Sequence, residues 1–467
     1  MTINLRNITK ITADSRQVIP GALFVALSGS KTDGSQYIDQ AISNGARVII
    51  SQTLPEKRVA DIEYIVEDNP RLVLTQLAAR FYPEQPENIV AVTGTNGKTS
   101  IAHFCRMIWQ QMGFESASLG TLGIVERERY RSSLNGMSLT TPDPVTLHQY
   151  IQELTEHGVS HLAVEASSHG IDQYRLDGLK IKAAAFTNLS RDHLDYHHTL
   201  EAYFEAKMQL FARIMPEGGV AVINNDSEYY EEVAAICRKR LHRIISYGKN
   251  PGELQLLHTI PSAEGQTIIF NADGIEHKIK VKLVGDFQAS NLLAALGLVI
   301  GAGGNKPRAI DALATLPPVP GRMEHVENPN TQGQIFVDYA HTPDALEKAL
   351  LALRPHTEKR LIVVFGCGGD RDKGKRPQMG ELAAKLADYT IVTDDNPRSE
   401  DPEVIRSEVM AGCPKAENIG DRRAAIAKAI AMMGQGDVLL IAGKGHEKTQ
   451  TIGKEVIAFD DVMVAAS

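Results

Sequence analysis

Cysteine is scarce in this chain. Cys105, Cys237, Cys367 and Cys413 stand far apart and form no CxxC pair. That spacing argues against a disulfide or zinc framework and for the reduced thiols of a cytosolic protein. Long apolar runs are missing too, since no stretch reaches the roughly eighteen consecutive apolar residues of a membrane span. The opening residues MTINLRNITKITADSR contain no basic segment followed by an apolar core, so no secretory signal is expected. A positive surplus is also absent. Lysine and arginine number 49 against 57 aspartates and glutamates, a formal net charge of −8. Nucleic acids and anionic membranes require a basic surface, so neither is an expected partner.

The remaining composition, 43% hydrophobic and 23% charged, is that of a folded protein rather than a disordered one. With 467 residues the chain exceeds one core, and its length suggests about three domains. Short apolar runs alternate with helical patterns throughout. Leu23–Leu27 and Arg47–Ile50 read as strands flanking a helix from Tyr37 to Ser43. A polar, proline-containing stretch from Tyr82 to Asn88 reads as a linker, and Ile89–Thr93 opens a new unit. Strands are expected at His161–Glu165, Ala183–Thr187 and Val220–Asn224, and a hairpin at Gln266–Leu283 turning on Asp273-Gly274. A helix over Asn291–Ile300 leads to a second linker at Leu316–Gly321. Further strands follow at Ile335–Asp338, Leu361–Phe365, Tyr389–Thr393 and Val438–Ala442. The expected fold is α/β in three domains. These are a small N-terminal α/β domain (1–87), a central P-loop NTPase-like domain with a mostly parallel sheet (88–317), and a C-terminal Rossmann-like domain (318–467).

The strongest local signal is Gly94-Thr95-Asn96-Gly97-Lys98-Thr99-Ser100, placed between a strand and an amphipathic helix carrying Ile101, Phe104, Ile108 and Met112. Glycines let backbone N–H groups turn inward to cradle phosphates, and the helix N-terminus adds positive potential. Lys98 can reach the β- and γ-phosphates of a nucleotide, and the Thr99 hydroxyl suits Mg²⁺. The spacing departs from the common Walker form, since Val92 stands where GxxxxGK[ST] has its first glycine. Two further polar segments follow strand ends, where open α/β sheets place their sites. They are Glu165-Ala166-Ser167-Ser168-His169-Gly170 and Asn188-Leu189-Ser190-Arg191-Asp192-His193. Glu165 offers a hard oxygen of the kind Mg²⁺ prefers, and His193 a nitrogen for a second metal site.

Together these motifs resemble the Mur ligases of peptidoglycan synthesis, and most closely their MurE branch. The resemblance runs the length of the chain: Asp14-Ser15-Arg16 and Asp33-Gly34 match the family's UDP-binding domain, and Gly443-Lys444-Gly445-His446-Glu447 its C-terminal one. It implies that Ser15 contacts the UDP-sugar, and that Thr140, Thr141, Ser167, Gln173 and Arg175 hold the muramoyl-peptide. It places Asn291, Arg322, Asp338 and His341 at the adenosine, although Gly285–Asn291 departs from the usual GxFNxxN. It further implies that Lys207, in Tyr203-Phe204-Glu205-Ala206-Lys207-Met208, is carbamylated and joins Thr99, Glu165 and His193 around metal. An ammonium there would repel Mg²⁺ and the γ-phosphate, whereas a carbamate supplies oxygens.

The implied reaction activates the substrate carboxylate as an acyl phosphate with Mg²⁺ and ATP, then joins it to an amino acid; Lys98, Lys207 and His193 carry the catalysis. The expected acceptor is meso-diaminopimelate and the expected donor UDP-MurNAc-L-Ala-D-Glu, in a cytoplasmic monomer. Arginine's planar fork binds carboxylates, so Arg371 and Arg398 suit the two carboxylates of diaminopimelate. Glu447, Asp395 or Asn396 suit its ammonium groups, and Pro397 and Gly443 are expected to contact diaminopimelate with them. A lysine-adding ligase, a folylpolyglutamate synthase and a non-catalytic ATP sensor are the alternatives. Asp395-Asn396-Pro397-Arg398 and the N-terminal UDP-like segment weigh against the folate enzyme.

Overall fold

A computed structural model describes residues 3–29, 33–126, 129–131, 139–262 and 265–467. Near the N-terminus a parallel four-stranded sheet joins β1 (Ile11–Thr12), β2 (Leu23–Val25), β3 (Val48–Ser51) and β4 (Glu63–Val66) in sequence order. The helix expected from Tyr37 begins instead as a 3₁₀ turn, Gly34–Tyr37, and becomes α-helical only over Ile38–Ser43. Asp33 causes the earlier start, because its side chain accepts from Ser35 N and caps the turn. Helix Pro70–Phe81, capped by Asn69, covers this sheet with Leu74 and Leu77.

The second sheet has eleven strands among the described residues. They are β5 (Asn88–Thr93), β6 (Ser116–Gly120), β7 (Gly123–Glu126), β8 (Arg129–Arg131), β9 (His161–Glu165), β10 (Ile181–Phe186), β11 (Val220–Asn224), β12 (Arg243–Gly248), β13 (Leu254–Ser262), β14 (Gly265–Ala272) and β15 (Ile275–Val281). Their spatial order is β15-β14-β13-β12-β11-β10-β5-β9-β6-β7-β8. The run from β12 through β6 is parallel, and β5, β9 and most of β10 are buried, which accounts for their nearly unbroken apolar sequences. Asn88, grouped with the linker on composition, is already the first residue of β5. The helix expected from Asn291 starts at Asp286 and runs to Gly301, so Asn291 lies in its second turn.

A third sheet orders β16 (Glu324–Val326), β17 (Gln334–Asp338), β18 (Leu361–Phe365), β19 (Tyr389–Val392), β20 (Glu417–Asn418) and β21 (Val438–Ala442) as β16-β17-β21-β18-β19-β20. Asp338 pairs with Ala442, and Phe365 with Val392, so the loops after four strands emerge at one edge. That edge faces the carboxyl ends of β5, β9 and β10 in the second sheet. Contacts across the cleft include Asn96 Nδ2 donating to Asp344 Oδ2 at 2.7 Å, Arg191 Nε to Asp372 Oδ2 at 2.8 Å, and Arg322 Nη2 to Thr99 Oγ1 at 3.1 Å. Among the described residues no helix is long and apolar enough to cross a membrane.

Candidate active site

Register explains why the phosphate loop meets the polar segments. Val92 pairs with Glu165 and Thr93 with Phe186, so the ends of β5, β9 and β10 lie side by side. The loop after β5 runs against Thr187-Asn188, where a Cβ on Gly94 (φ 143°) would fall 1.8 Å from Thr187 Oγ1. Gly97 (φ 91°) is pinned likewise, with Asn291 Oδ1 only 2.6 Å from a built Cβ. Asn188 Oδ1 accepts from Asn96 N at 3.0 Å, and Thr187 Oγ1 donates to Asn96 O at 2.7 Å. Lys98 Nζ donates to Gly94 O at 2.8 Å and to Thr95 O at 2.7 Å. Burial pushes the Lys98 ammonium below its usual range, against the pull of Glu165 and Asp192.

Lys207 belongs to the same cluster. Its Nζ reaches the same acceptor, Gly94 O, at 2.8 Å, and the side chain is buried over the Tyr203 ring. Burial, reinforced by Lys98, holds its pKa well below that of an ordinary lysine. A neutral amine is the form that reacts with carbon dioxide, so this environment suits a carbamate.

Glu165 is almost fully buried, and its two oxygens are aimed by Thr121: the backbone N donates to Oε1 at 2.8 Å and the hydroxyl to Oε2 at 3.1 Å. The Thr99 hydroxyl donates to Glu165 Oε2 at 3.1 Å. A hydroxyl and a carboxylate side by side at a phosphate loop are hard oxygen donors that fit Mg²⁺. Among the described residues no three His, Cys, Asp or Glu converge on one point. Phosphate oxygens of a bound nucleotide and water would complete such a set, as Mg²⁺ commonly accepts. His193 sits half-buried with φ 55°, its Nε2 3.4 Å from Asp192 Oδ2. Burial opposes ionisation of Asp192, yet His193, His341 and Lys375 hold its carboxyl below the usual range.

A cavity of about 220 Å³ brings together Lys98, Thr99, Thr140, Glu165, Ser167, Ser168, His193, Lys207, Asn291, Arg322, Asp338 and His341. Asp338 Oδ2 accepts from Met323 N at 2.7 Å, and burial lifts its pKa to about 6 against the pull of Arg322. Arg322 lies over the Tyr339 ring, and His341 Nδ1 is 2.8 Å from Tyr339 O. Asn291 also lines a second cavity of about 670 Å³ with Asn224, Tyr247, Phe287 and His356, large enough for a base and ribose.

A third cavity, about 430 Å³, lies between the first two sheets and includes Lys10, Arg71, Gln173 and Arg175. Arg175 Nη1 donates to Thr141 O at 2.6 Å and Nη2 to Gln173 Oε1 at 2.7 Å. Thr141 Oγ1 in turn lies 2.9 Å from Ser167 Oγ. A polar chain thus links this cavity to the phosphate loop. Ser15 is not on the cavity wall; its hydroxyl donates to Gln40 Oε1 at 2.7 Å and it is buried. Lys10 and Arg71 escaped the sequence reading because neither lies in a motif.

The loops of the third sheet carry the residues expected to hold the acceptor. Arg371 is exposed and donates through Nη1 to Asp370 O at 2.9 Å. Arg398, with φ 51°, donates through Nη1 to Gly369 O at 2.9 Å, which joins the two arginine-bearing loops. Pro397 is buried beside it. Asp395 and Asn396 are buried, and a Cβ at Gly443 would lie 2.5 Å from Asp395 Oδ2. Asn396 Nδ2 donates to Glu447 Oε2 at 2.8 Å. Lys444, which the sequence reading quoted without a role, reaches that same oxygen at 3.0 Å. Its signal was a lysine between two glycines at a strand end.

Three family models match: "Mur ligase family, catalytic domain" over residues 7–82, "Mur ligase middle domain" over 92–299, and "Mur ligase, glutamate ligase domain" over 321–445. A protein of Bradyrhizobium diazoefficiens named UDP-N-acetylmuramoyl-L-alanyl-D-glutamate--2,6-diaminopimelate ligase is 49% identical over 458 residues, 97% of this chain and 93% of the other. A protein of the same name from Caulobacter vibrioides is 48% identical over 459 residues, 97% of this chain and 94% of its own. A solved structure described by that name aligns with TM-score 0.70 at 34% identity, covering 98% of this chain and 94% of the other. By its matched segments and by relatives alike over nearly its whole length, the chain belongs to the Mur ligase family.

Proposed function

We propose that this chain is an ATP-dependent, ADP-forming ligase that joins meso-diaminopimelate to UDP-MurNAc-L-Ala-D-Glu, a step of cytoplasmic peptidoglycan precursor synthesis. The reading rests above all on one observation. The phosphate loop with Thr99 and Glu165 faces, across one cleft, the strand ends that carry Arg371 and Arg398. The names of the relatives point the same way. The three domains are read as 1–87 for the UDP-sugar, 88–317 for ATP and 318–467 for the amino acid, within a monomer.

The chemistry follows from these positions. Lys98 leaves its carbonyl partners for the β- and γ-phosphates, and Arg322 approaches from the opposite wall. Thr99, Glu165, His193 and a carbamylated Lys207 are the residues that would hold Mg²⁺, which when bound neutralises phosphate charge during transfer. The donor carboxylate, held through Thr140, Thr141, Ser167, Gln173 and Arg175, attacks the γ-phosphorus, and ADP leaves. Asn291 and the larger cavity seat the nucleoside, with Asp338 and His341 at its phosphate end. The amine of the acceptor then attacks the acyl-phosphate carbonyl, phosphate departs, and an amide remains. Positioning and electrostatics carry this reaction, so no serine or cysteine nucleophile is required. The two facing sheet edges exclude water from the acyl phosphate.

The test is ADP release and product formation with UDP-MurNAc-L-Ala-D-Glu, ATP and either meso-diaminopimelate or L-lysine. Diaminopimelate should be strongly preferred. Product with lysine alone, or ADP release independent of both other substrates, overturns the proposal.

A further inference from the structure

Lys444 raises a question that the reaction scheme leaves open. It follows β21, and its side chain has no exposed surface. An ammonium buried this completely is costly unless it is paired and hydrogen-bonded. Its Nζ donates to Asn396 Oδ1 at 3.2 Å and to Glu447 Oε2 at 3.0 Å. Thr451 N also donates to Asn396 Oδ1, at 2.9 Å, so that oxygen takes two donors and the amide can face only one way. Asn396 Nδ2 is thereby turned onto Glu447 Oε2. Among the described residues no donor reaches Glu447 Oε1, which leaves one carboxylate oxygen for a ligand.

We propose that Lys444 is a specificity-determining positioning residue of the amino-acid site. It locks Asn396 and Glu447 in one arrangement and supplies the charge by which the site selects an acceptor with two carboxylates. The inference rests on the functional reading above and deepens it. The neighbouring pairs Arg422–Asp461, at 2.7 Å, and Arg406–Asp394 add no net charge. Among the acceptor-site residues named above, Arg371, Arg398 and Lys444 stand against Asp395 and Glu447, a formal surplus of one positive charge. An attacking amine must be neutral, so a diamino dicarboxylate reacts with two carboxylates and one ammonium, a net charge of minus one. A diamino monocarboxylate reacts with a net charge of zero. The site with Lys444 complements the first; without it, the second.

The experiment compares kcat and KM for meso-diaminopimelate and L-lysine in the full-length chain and in Lys444→Met and Lys444→Arg. Lys444→Met should lower kcat/KM for diaminopimelate roughly 30- to 100-fold, mainly through KM, as expected for loss of a buried charge partner. For lysine, kcat/KM should fall less, by roughly 3- to 10-fold, because the loosening of Asn396 and Glu447 touches both acceptors while the lost charge matters only to the second carboxylate. Lys444→Arg keeps the charge and should keep the preference. An unchanged ratio in Lys444→Met, equal losses for both acceptors, or a preference lost equally in Lys444→Arg overturns the assignment. Lys444→Gln is the second variant if the methionine protein does not unfold cooperatively, and misfolding of both makes Lys444 structural. If the unaltered chain ligates neither acceptor, the functional reading itself falls. If it prefers diaminopimelate while Lys444→Met keeps that preference, only the role of Lys444 falls.

Discussion

Arg398 offers the sharpest test of the acceptor site, because its present bonds separate two effects. The guanidinium gives Nη1 to Gly369 O at 2.9 Å and, more weakly, to Asn396 O at 3.4 Å. Those bonds hold loops together and serve every acceptor alike. The other donors of the fork remain for a ligand carboxylate, and only an acceptor with a distal carboxylate can use them. Arg398→Ala removes both contributions. The loop contacts are neutral-acceptor hydrogen bonds of about 1 kcal/mol, or roughly fivefold in kcat/KM for both amino acids. A charge-assisted contact is worth about 2–5 kcal/mol when desolvated, and Arg398 is only partly buried, so the lower end applies. At about 2–3 kcal/mol, diaminopimelate should lose a further 30- to 150-fold that lysine does not. Arg398→Lys keeps the charge without the fork and should fall between. The assay is the ratio of kcat/KM for the two amino acids under saturating ATP and UDP-sugar peptide. An equal penalty on both would show that Arg398 only braces Gly369, and the acceptor assignment would fail.

Lys98→Ala should reduce ligation by about a thousandfold or more while unfolding remains cooperative, because the phosphate-facing cation acts in the transition state; near-normal turnover would refute the phosphate-loop assignment. Lys207→Ala should be nearly inactive, with partial rescue by short-chain carboxylic acids, and intact-mass measurement of the active enzyme should show the carbamate; an unmodified, dispensable lysine would end that idea. Asp338 gives a pH test. Its folded pKa of about 6 lies above the usual 3.8, so the native state binds this proton more tightly than the unfolded chain. Stability is thus lost as pH rises through that window, by on the order of 2–3 kcal/mol. Asp338→Asn should therefore gain thermal stability over the parent chain more at pH 8 than at pH 5, while ligation falls; a pH-independent difference would count against a strained buried carboxylate.

Much of this was readable because parallel interior strands are written as contiguous apolar runs. His161–Glu165, Val220–Asn224, Leu361–Phe365 and Val438–Ala442 occur as strands at the bounds their sequences suggested. The phosphate loop was equally plain, since glycine spacing and the following helix are local. Short, exposed or bulged strands were not. Residues Ile11–Thr12 and Glu63–Val66 are too short or too exposed to show a period, and Leu254–Ser262 becomes irregular where its register shifts near His258. The onset at Asp286 was obscured because its helix is apolar nearly all round and lacks a side-chain cap. Site residues outside motifs failed for another reason. Lys10 and Arg71 meet Arg175 only through tertiary packing, and the inward turn of Ser15 depends on Gln40. No local pattern encodes such meetings.

The two facing sheet edges also bear on how such a ligase can diversify. On the proposed reading, energy transduction resides in one edge, through the loops after β5, β9 and β10, and acceptor choice in the other, through the loops after β18, β19 and β21. The strands beneath each set are buried and paired independently of the loops they carry. Exchange of Gly366–Arg376, Asp394–Arg398 and Gly443–Glu447 together is therefore expected to re-address the enzyme to a different amino acid with the phosphate loop untouched. The constraint on that exchange is Glu400, just beyond the second segment, which accepts from Arg376 Nη2 at 2.9 Å and from Asp370 N at 2.6 Å and so ties it to the first.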